Sequence, residues 1–343
     1  MSGTSLDGID LCYISFVKDN SWSFNIIKSE TIRYSEFWKI KLAQAINFTK
    51  QEIASLDEMY TEYLSIVIYD FITSHKIDNL DAVCSHGHTI FHQPEKGVTK
   101  QIGNLPILAT LLNTTVVCDF RVQDVAFGGQ GAPLVPIGDE LLFQEYDACL
   151  NLGGFSNISF KKNQNRVAFD ICPVNIVLNH YAANLGLEYD NAGQMAASGN
   201  INKKMLLKLN DLDFYGQIPP KSLGLEWVNS MIIPLIDSQK LSTQDILRTI
   251  VEHISIQISK VLNNHQIKSV LLSGGGAYNS FLIERIKLLT SAILYIPSKE
   301  IIDFKEALIF GLLGVLKLRN EVNCLASVTG AQQNHSTGNI FRN

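Results

Sequence analysis

Within its first ten residues the chain places three hydroxyls (Ser2, Thr4, Ser5), two glycines (Gly3, Gly8) and two carboxylates (Asp7, Asp10). Consecutive free N–H groups in a glycine-bearing turn form a concavity for an anion such as phosphate. Two carboxylates beside an anion make sense when a hard divalent cation such as Mg²⁺ comes with it, and Asp7 is then the candidate ligand. A plain polar hairpin is the competing reading. Two more glycine turns follow apolar runs further along, Gly153-Gly154 with Asn157 and Gly274-Gly275-Gly276 with Asn279. Three such turns fit a nucleotide gripped at both ends. The chain has neither a Walker A sequence nor a GxGxxG fingerprint, which counts against P-loop and Rossmann readings.

Among the acids, Asp170 ends an apolar strand-like run and faces a helix start. It reads either as a helix cap or as a general base within reach of an attacking nucleophile. Glu306 is placed at the start of the last helix, where the dipole favours an acid in any case. Asp190 and Glu226 read as turn and surface residues. Arg121, flanked by Asp119 and Asp124, is a structural ion pair or an anion clamp, since a planar fork suits both. The alternation of His86, His88 and His92 invites a metal reading, but no carboxylate lies nearby and polar ligand contact is preferred.

The elements that must hold these residues alternate between strands and helices. Ile9 to Val17 and Ser23 to Arg33 read as a strand pair. Thr49 and Glu52 form a capping box for an amphipathic helix reaching about His75. Short buried strands, Leu80 to Ser85 and Thr115 to Cys118, empty into Ser-His-Gly-His-Thr and Asp-Phe-Arg, and in open α/β sheets ligands collect at such ends. Leu134 to Phe143 looks helical and precedes a seam. Beyond it, Asp147 to Leu152, a glycine and hydroxyl turn, and Ile158 to Lys161 repeat the opening design. Val167 to Asp170 is a strand, and Pro173 is expected in the first turn of a helix reaching Leu185. Ser242 and Asp245 cap a helix striped by Ile246, Ile250, Ile254 and Ile258, which feeds the strand Ser269 to Leu272. Lys305 to Leu318 is a last helix, and the tail after Gln332 is expected to fray.

Length favours two domains, 1–143 and 144–343 of an α/β protein. Apolar residues make up 46% and charged ones 18%, with a net charge of −5. That balance lacks the basic face a nucleic-acid partner demands. No apolar run is long enough to span a bilayer and no signal peptide opens the chain, so a cytoplasmic protein is expected. The six cysteines are scattered without a CxxC pair, which argues against disulfides and a zinc site.

Eight segments in order, Met1-Ser-Gly-Thr-Ser-Leu-Asp-Gly8, Ser85-His-Gly87, Gln101-Ile-Gly-Asn104, Asp119-Phe-Arg121, Gly128 to Pro136, Asn151-Leu-Gly-Gly-Phe-Ser-Asn157, Pro219-Pro-Lys-Ser222 and Ser273 to Asn279, closely resemble the anhydro-N-acetylmuramic acid kinases. The resemblance runs from Met1 to about Ala331. It implies the actin-like fold of acetate and sugar kinases, heat-shock 70 ATPases and actin, with duplicated ribonuclease-H-like domains and a central cleft. It also implies ATP and Mg²⁺ as cofactors, a homodimer, and a place in peptidoglycan recycling. By this similarity Asp170 matches the base that deprotonates water. Ser2 to Gly8 and Gly153 to Asn157 match phosphate turns, and Gly274 to Gly276 with Asn279 the nucleoside turn. Asn175, His86, Thr89, Arg121 and Glu306 match the sugar side, with Glu306 a second catalytic candidate. Two departures stand out. The family's usual Asp-x-Gly-Pro-Gly-Asn is here Asp170-Ile-Cys-Pro-Val-Asn175, in which side chains at Cys172 and Val174 would crowd the site if the glycines they replace let backbone approach the ligand or took a positive φ, and His88 replaces a glutamine. A kinase of another sugar, or a nucleotide sensor without transfer, are the alternatives. In that fold the Gly3 turn lies between two strands, so either the chain starts one strand late or a strand position is unfilled.

Overall fold

The structure, a computed structural model, describes residues 1–3 and 6–343; Thr4 and Ser5, both assigned to the first phosphate turn, lie outside the described residues. The chain divides into two compact units, one of Met1–Leu142 with Phe304–Asn343 and the other of Phe143–Asp303.

In the first unit β1 (Gly8–Lys18) and β2 (Trp22–Arg33) form the expected antiparallel pair. The capping box holds: Glu52 N–H donates to Thr49 Oγ1 at 3.3 Å and Thr49 N–H to Glu52 Oε2 at 2.7 Å. The helix it starts, Lys50–Ser74, buries Ile53, Leu56, Tyr60, Leu64 and Phe71 on one stripe. The strand expected from Leu80 shortens to β3 (Val83–Ser85). The residues after it, read from sequence as an exit loop, instead form a hairpin of β4 (His88–Gln93) and β5 (Val98–Ile102). A bulge between Thr89 and Phe91 interrupts the polar–apolar alternation that would have announced it. β6 (Val116–Cys118), fully buried, runs parallel to β3.

The second unit carries a single sheet of β7 (Ala148–Leu152), β8 (Phe155–Lys162), β9 (Asn165–Pro173), β10 (Ser269–Ser273) and β11 (Ile293–Tyr295), in the order β11-β10-β7-β8-β9. β10 is parallel to both β7 and β11, while β8 is antiparallel to β7 and β9. The helix Thr243–Asn264 lays Ile246, Ile250, Ile254 and Ile258 into the core under this sheet, and Ser242 caps it by accepting from Asp245 N–H at 3.2 Å. Pro173 closes β9 rather than opening a helix; the helix is Asn175–Ala182.

Three expectations about the C-terminal part need correction. The helix predicted from Lys305 spans Lys299–Leu318, so Glu306 sits in its interior, where the dipole has little effect. The tail does not fray, because Cys324 and His335 form an antiparallel bridge and β12 (Asn339–Phe341) pairs with β6. That pairing returns 304–343 to the first unit, which cuts the expected second domain short at Asp303. Among the described residues no helix is long and apolar enough to cross a membrane.

Candidate functional site

In the second unit the cross-strand register sets a polar row. Ser273 pairs with Asn151, Asn151 with Asn157, and Asn157 with Asp170, so these side chains share one face at one end of the sheet. A β-bulge follows at Ile171, which turns into the core and leaves Asp170 at the rim. Asp170 is half-buried, and burial raises its pKa to about 6. Leu223 N–H opposes that shift by donating to Asp170 Oδ2 at 2.8 Å, while Asp170 N–H donates to the Lys221 carbonyl at 3.1 Å. The segment containing Pro219 to Ser222 thus lines the acid, a role that its sequence alone did not suggest. Asp170 caps no helix.

The two glycine turns of this unit meet at Asn151. A Cβ on Gly274 would lie 2.4 Å from Asn151 Oδ1, and one on Gly153 would lie 3.1 Å from its Nδ2. Gly274 has φ +77°, a left-handed backbone, whereas a Cβ on Gly275 would meet Asn175 Nδ2 at 3.7 Å, an ordinary contact. The Gly153-Gly154 turn is fastened from behind. Its carbonyls accept from Val174 N–H at 2.8 Å, Asn175 N–H at 3.2 Å and Ile176 N–H at 3.3 Å. Asn175 Nδ2 donates to the Leu152 carbonyl at 3.0 Å and lies beside Gly275, so its side chain serves the glycine turns. Asn279 Oδ1 accepts from Leu282 N–H at 3.0 Å and caps the helix Ser280–Lys287. Asp190 holds a turn by accepting from Met195 N–H and Ala196 N–H. Cys172 and Val174 do not crowd the rim. Both are wholly buried in the core and neither takes a positive φ, so the missing glycines leave no side chain over Asp170.

In the first unit His86 and Arg121 come together. Arg121 Nε donates to His86 Nε2 at 2.9 Å, and His86 Nδ1 must then donate to the Gly87 carbonyl at 3.0 Å, which assigns a neutral ring. Burial and then the guanidinium hold the His86 pKa well below its ordinary range. Arg121 Nη1 donates to the Gly131 carbonyl at 2.7 Å, so two of its five N–H donors are used, and neither flanking aspartate is its hydrogen-bonding partner. Asp124 instead fixes the glycine loop: it accepts from Gly131 N–H at 2.7 Å, Thr329 Oγ1 at 2.7 Å and Cys324 Sγ at 3.0 Å. Glu306 is exposed by surface area, yet desolvation by the densely packed protein nearby, and then the charge of Asp10, push its carboxyl up against the pull of Arg121 and Lys305. A buried ion pair on the same helix, Lys305 Nζ to Asp139 Oδ1 at 2.6 Å, anchors it. Thr89 is half-buried and accepts weakly from Gln101 Nε2 at 3.4 Å.

The opening turn is partly occupied. Ser2 is buried, with Oγ 2.6 Å from Tyr34 Oη and 2.8 Å from His88 Nδ1, and Tyr34 passes the network on to Tyr60. Burial depresses His88 to a pKa of about 4, so it is neutral at physiological pH. His92 bonds to Thr99, so the three histidines serve three partners and do not converge on a metal. Gly3 and Asp7 are exposed, and a Cβ on Gly8 would lie 2.3 Å from the Ile32 carbonyl oxygen. An exposed carboxylate at Asp7 fits a hard cation that keeps most of its water and phosphate ligands.

The family model for anhydro-N-acetylmuramic acid kinase matches residues 1–343. The chain belongs to this family. The anhydro-N-acetylmuramic acid kinase of Haemophilus influenzae is 33% identical over 99% of this chain and 96% of its own length. That of Pseudomonas savastanoi pv. phaseolicola is 34% identical over 99% and 97%. Among solved structures, the activator of the 2-hydroxyisocaproyl-CoA dehydratase from Clostridium difficile with bound ADPNP covers 48% of this chain and 58% of its own, at 16% identity and a TM-score of 0.32, too distant to carry an argument.

Proposed function

We propose that the chain is an ATP-dependent kinase that hydrolyses the 1,6-anhydro bond of anhydro-N-acetylmuramic acid and phosphorylates O6, giving N-acetylmuramic acid 6-phosphate for cell-wall recycling. The observation that carries this reading is Asp170: a half-buried carboxylate with a pKa near 6, ending a polar row in which Asn151 meets two glycine turns. A base at that pKa is ionised at neutral pH and basic enough to draw a proton from water. In this mechanism Asp170 takes one proton from water, and the hydroxide oxygen bonds to C1. The C1–O6 bond breaks, and the freed O6 accepts the γ-phosphoryl group as ADP leaves. In the second unit Gly153, Gly154 and Asn157 bind phosphate and Gly274, Gly275 and Gly276 hold the nucleoside; the Gly3 turn of the first unit is a phosphate turn in its own right. Asp7 is the candidate holder of Mg²⁺, which neutralises phosphate charge. His86, Thr89, Arg121 and Glu306 bind the sugar, with the neutral His86 fixing the guanidinium plane. The reading includes a cytoplasmic location and a homodimer.

Incubating the protein with Mg-ATP and anhydro-N-acetylmuramic acid tests it. The expected product is the 6-phosphate with stoichiometric ADP. Phosphorylation of other sugars alone, or ATP binding without any transfer, would overturn it.

A further inference from the structure

The two units build their sheets on one plan, with one position left open. In the second unit β7 lies between β10, parallel to it, and β8, antiparallel to it. The first unit has the counterparts of both neighbours. β1 with β2 corresponds to β8 with β9, and β3 with β6 to β10 with β11. Among the described residues, however, β1 pairs as a strand only with β2, and β3 only with β6. Between these two edges lies a cavity of about 560 Å³. Ile9 to Phe16 form one wall and Leu80 to Ser85 the other, while Leu64, Ile68 and Phe71 come from the helix Lys50–Ser74 and Phe310, Gly311 and Val315 from the helix Lys299–Leu318.

The lane has a direction. Ser2 forms an antiparallel bridge to Ile9, and Met1 and Asp10 exchange backbone hydrogen bonds at 2.7 and 2.8 Å, so two residues already occupy its end in the β7-like sense. Ladder alternation turns the backbone of Cys12 and Ile14 to the same side as that of Asp10. On the opposite edge Val83 N–H donates to Thr115, which turns the backbone of Cys84 toward the lane. Two facing strand edges with an apolar floor are a template for strand addition.

We propose that this lane accepts an extended apolar polypeptide segment of about five to seven residues, running antiparallel to β1 and parallel to β3. Its chemistry is that of β7, whose Ala-Cys-Leu-Asn-Leu carries no charge and is buried at four of its five positions. The incoming strand joins the β1-β2 and β3-β6-β12 sheets into one, in the order found in the second unit. Specificity comes from the apolar lining, and main-chain bonds to both edges supply affinity.

A synthetic heptapeptide copying Asp147–Gly153, with serine at the cysteine, is the probe, and the same peptide with proline at its central leucine is the control, because proline removes a backbone donor. Both are added in excess to the full-length protein, and amide hydrogen exchange is read residue by residue. The first peptide is expected to slow exchange at Cys12, Ile14 and Cys84 by at least about tenfold, and the proline peptide to leave it unchanged. No slowing, slowing confined to other segments, or equal slowing by the proline peptide would overturn the proposal.

Discussion

The two units position their acids by opposite means. Asp170 stands on a strand, and its surroundings are backbone: a bulge beside it, the Leu223 N–H above it and a register that lines up Asn151 and Asn157. Glu306 stands in the interior of a helix anchored by the side-chain ion pair of Lys305 with Asp139. The turns differ likewise. Three backbone N–H groups fasten Gly153-Gly154, whereas a buried hydroxyl network through Ser2, His88, Tyr34 and Tyr60 fastens the opening turn. A repeated supersecondary plan therefore does not repeat its fastenings.

Removing one partner of the first unit's ion pair has the largest expected effect on stability. Lys305→Met removes the cation beside the buried Asp139 and is expected to cost about 3–5 kcal/mol in denaturant unfolding, with most of the loss recovered when Asp139→Leu is added. Next come the second unit's glycines. Gly274→Ala forces a Cβ onto Asn151 at a positive φ, with an expected cost of about 1–3 kcal/mol and weakened ATP binding by calorimetry. Gly275→Ala, whose Cβ would make only an ordinary contact at 3.7 Å with Asn175 Nδ2, stays within about 0.5 kcal/mol of the parent. Arg121→Lys loses the fork that bridges His86 and Gly131, and the KM for the sugar is expected to rise about tenfold, or about 1.4 kcal/mol, with the KM for ATP unchanged. A rise in the KM for ATP instead would break the assignment of sugar contacts to the first unit. A further effect depends on pH. Because folding raises the Asp170 pKa to about 6, its contribution to stability is present below about pH 4 and is lost as pH climbs through about 6. Asp170→Asn should therefore gain about 1–2 kcal/mol over the parent near pH 7.5 and nothing near pH 4.

Most strands and long helices could be read directly because their signals are local: the Thr49–Glu52 box, the isoleucine stripe from Ile246 to Ile258 and the apolar runs before each glycine turn. The family was legible because its motifs stand in order along the whole chain. What escaped was set at long range. The β4-β5 hairpin hides behind a bulge, and the tail's pairing with β6 depends on residues more than 200 positions away. Asn151 was quoted within a motif without a role, since only the register shows that both glycine turns close on it. The concern over Cys172 and Val174 came from reading side chains without their direction, which is into the core.

Asp170→Asn, assayed for turnover and nucleotide binding together, tests the account most directly. The account predicts a fall in kcat of about 10²–10⁴ with ATP affinity nearly unchanged, and in the parent enzyme an acid limb of kcat/KM near pH 6. Near-normal turnover in the variant would contradict it.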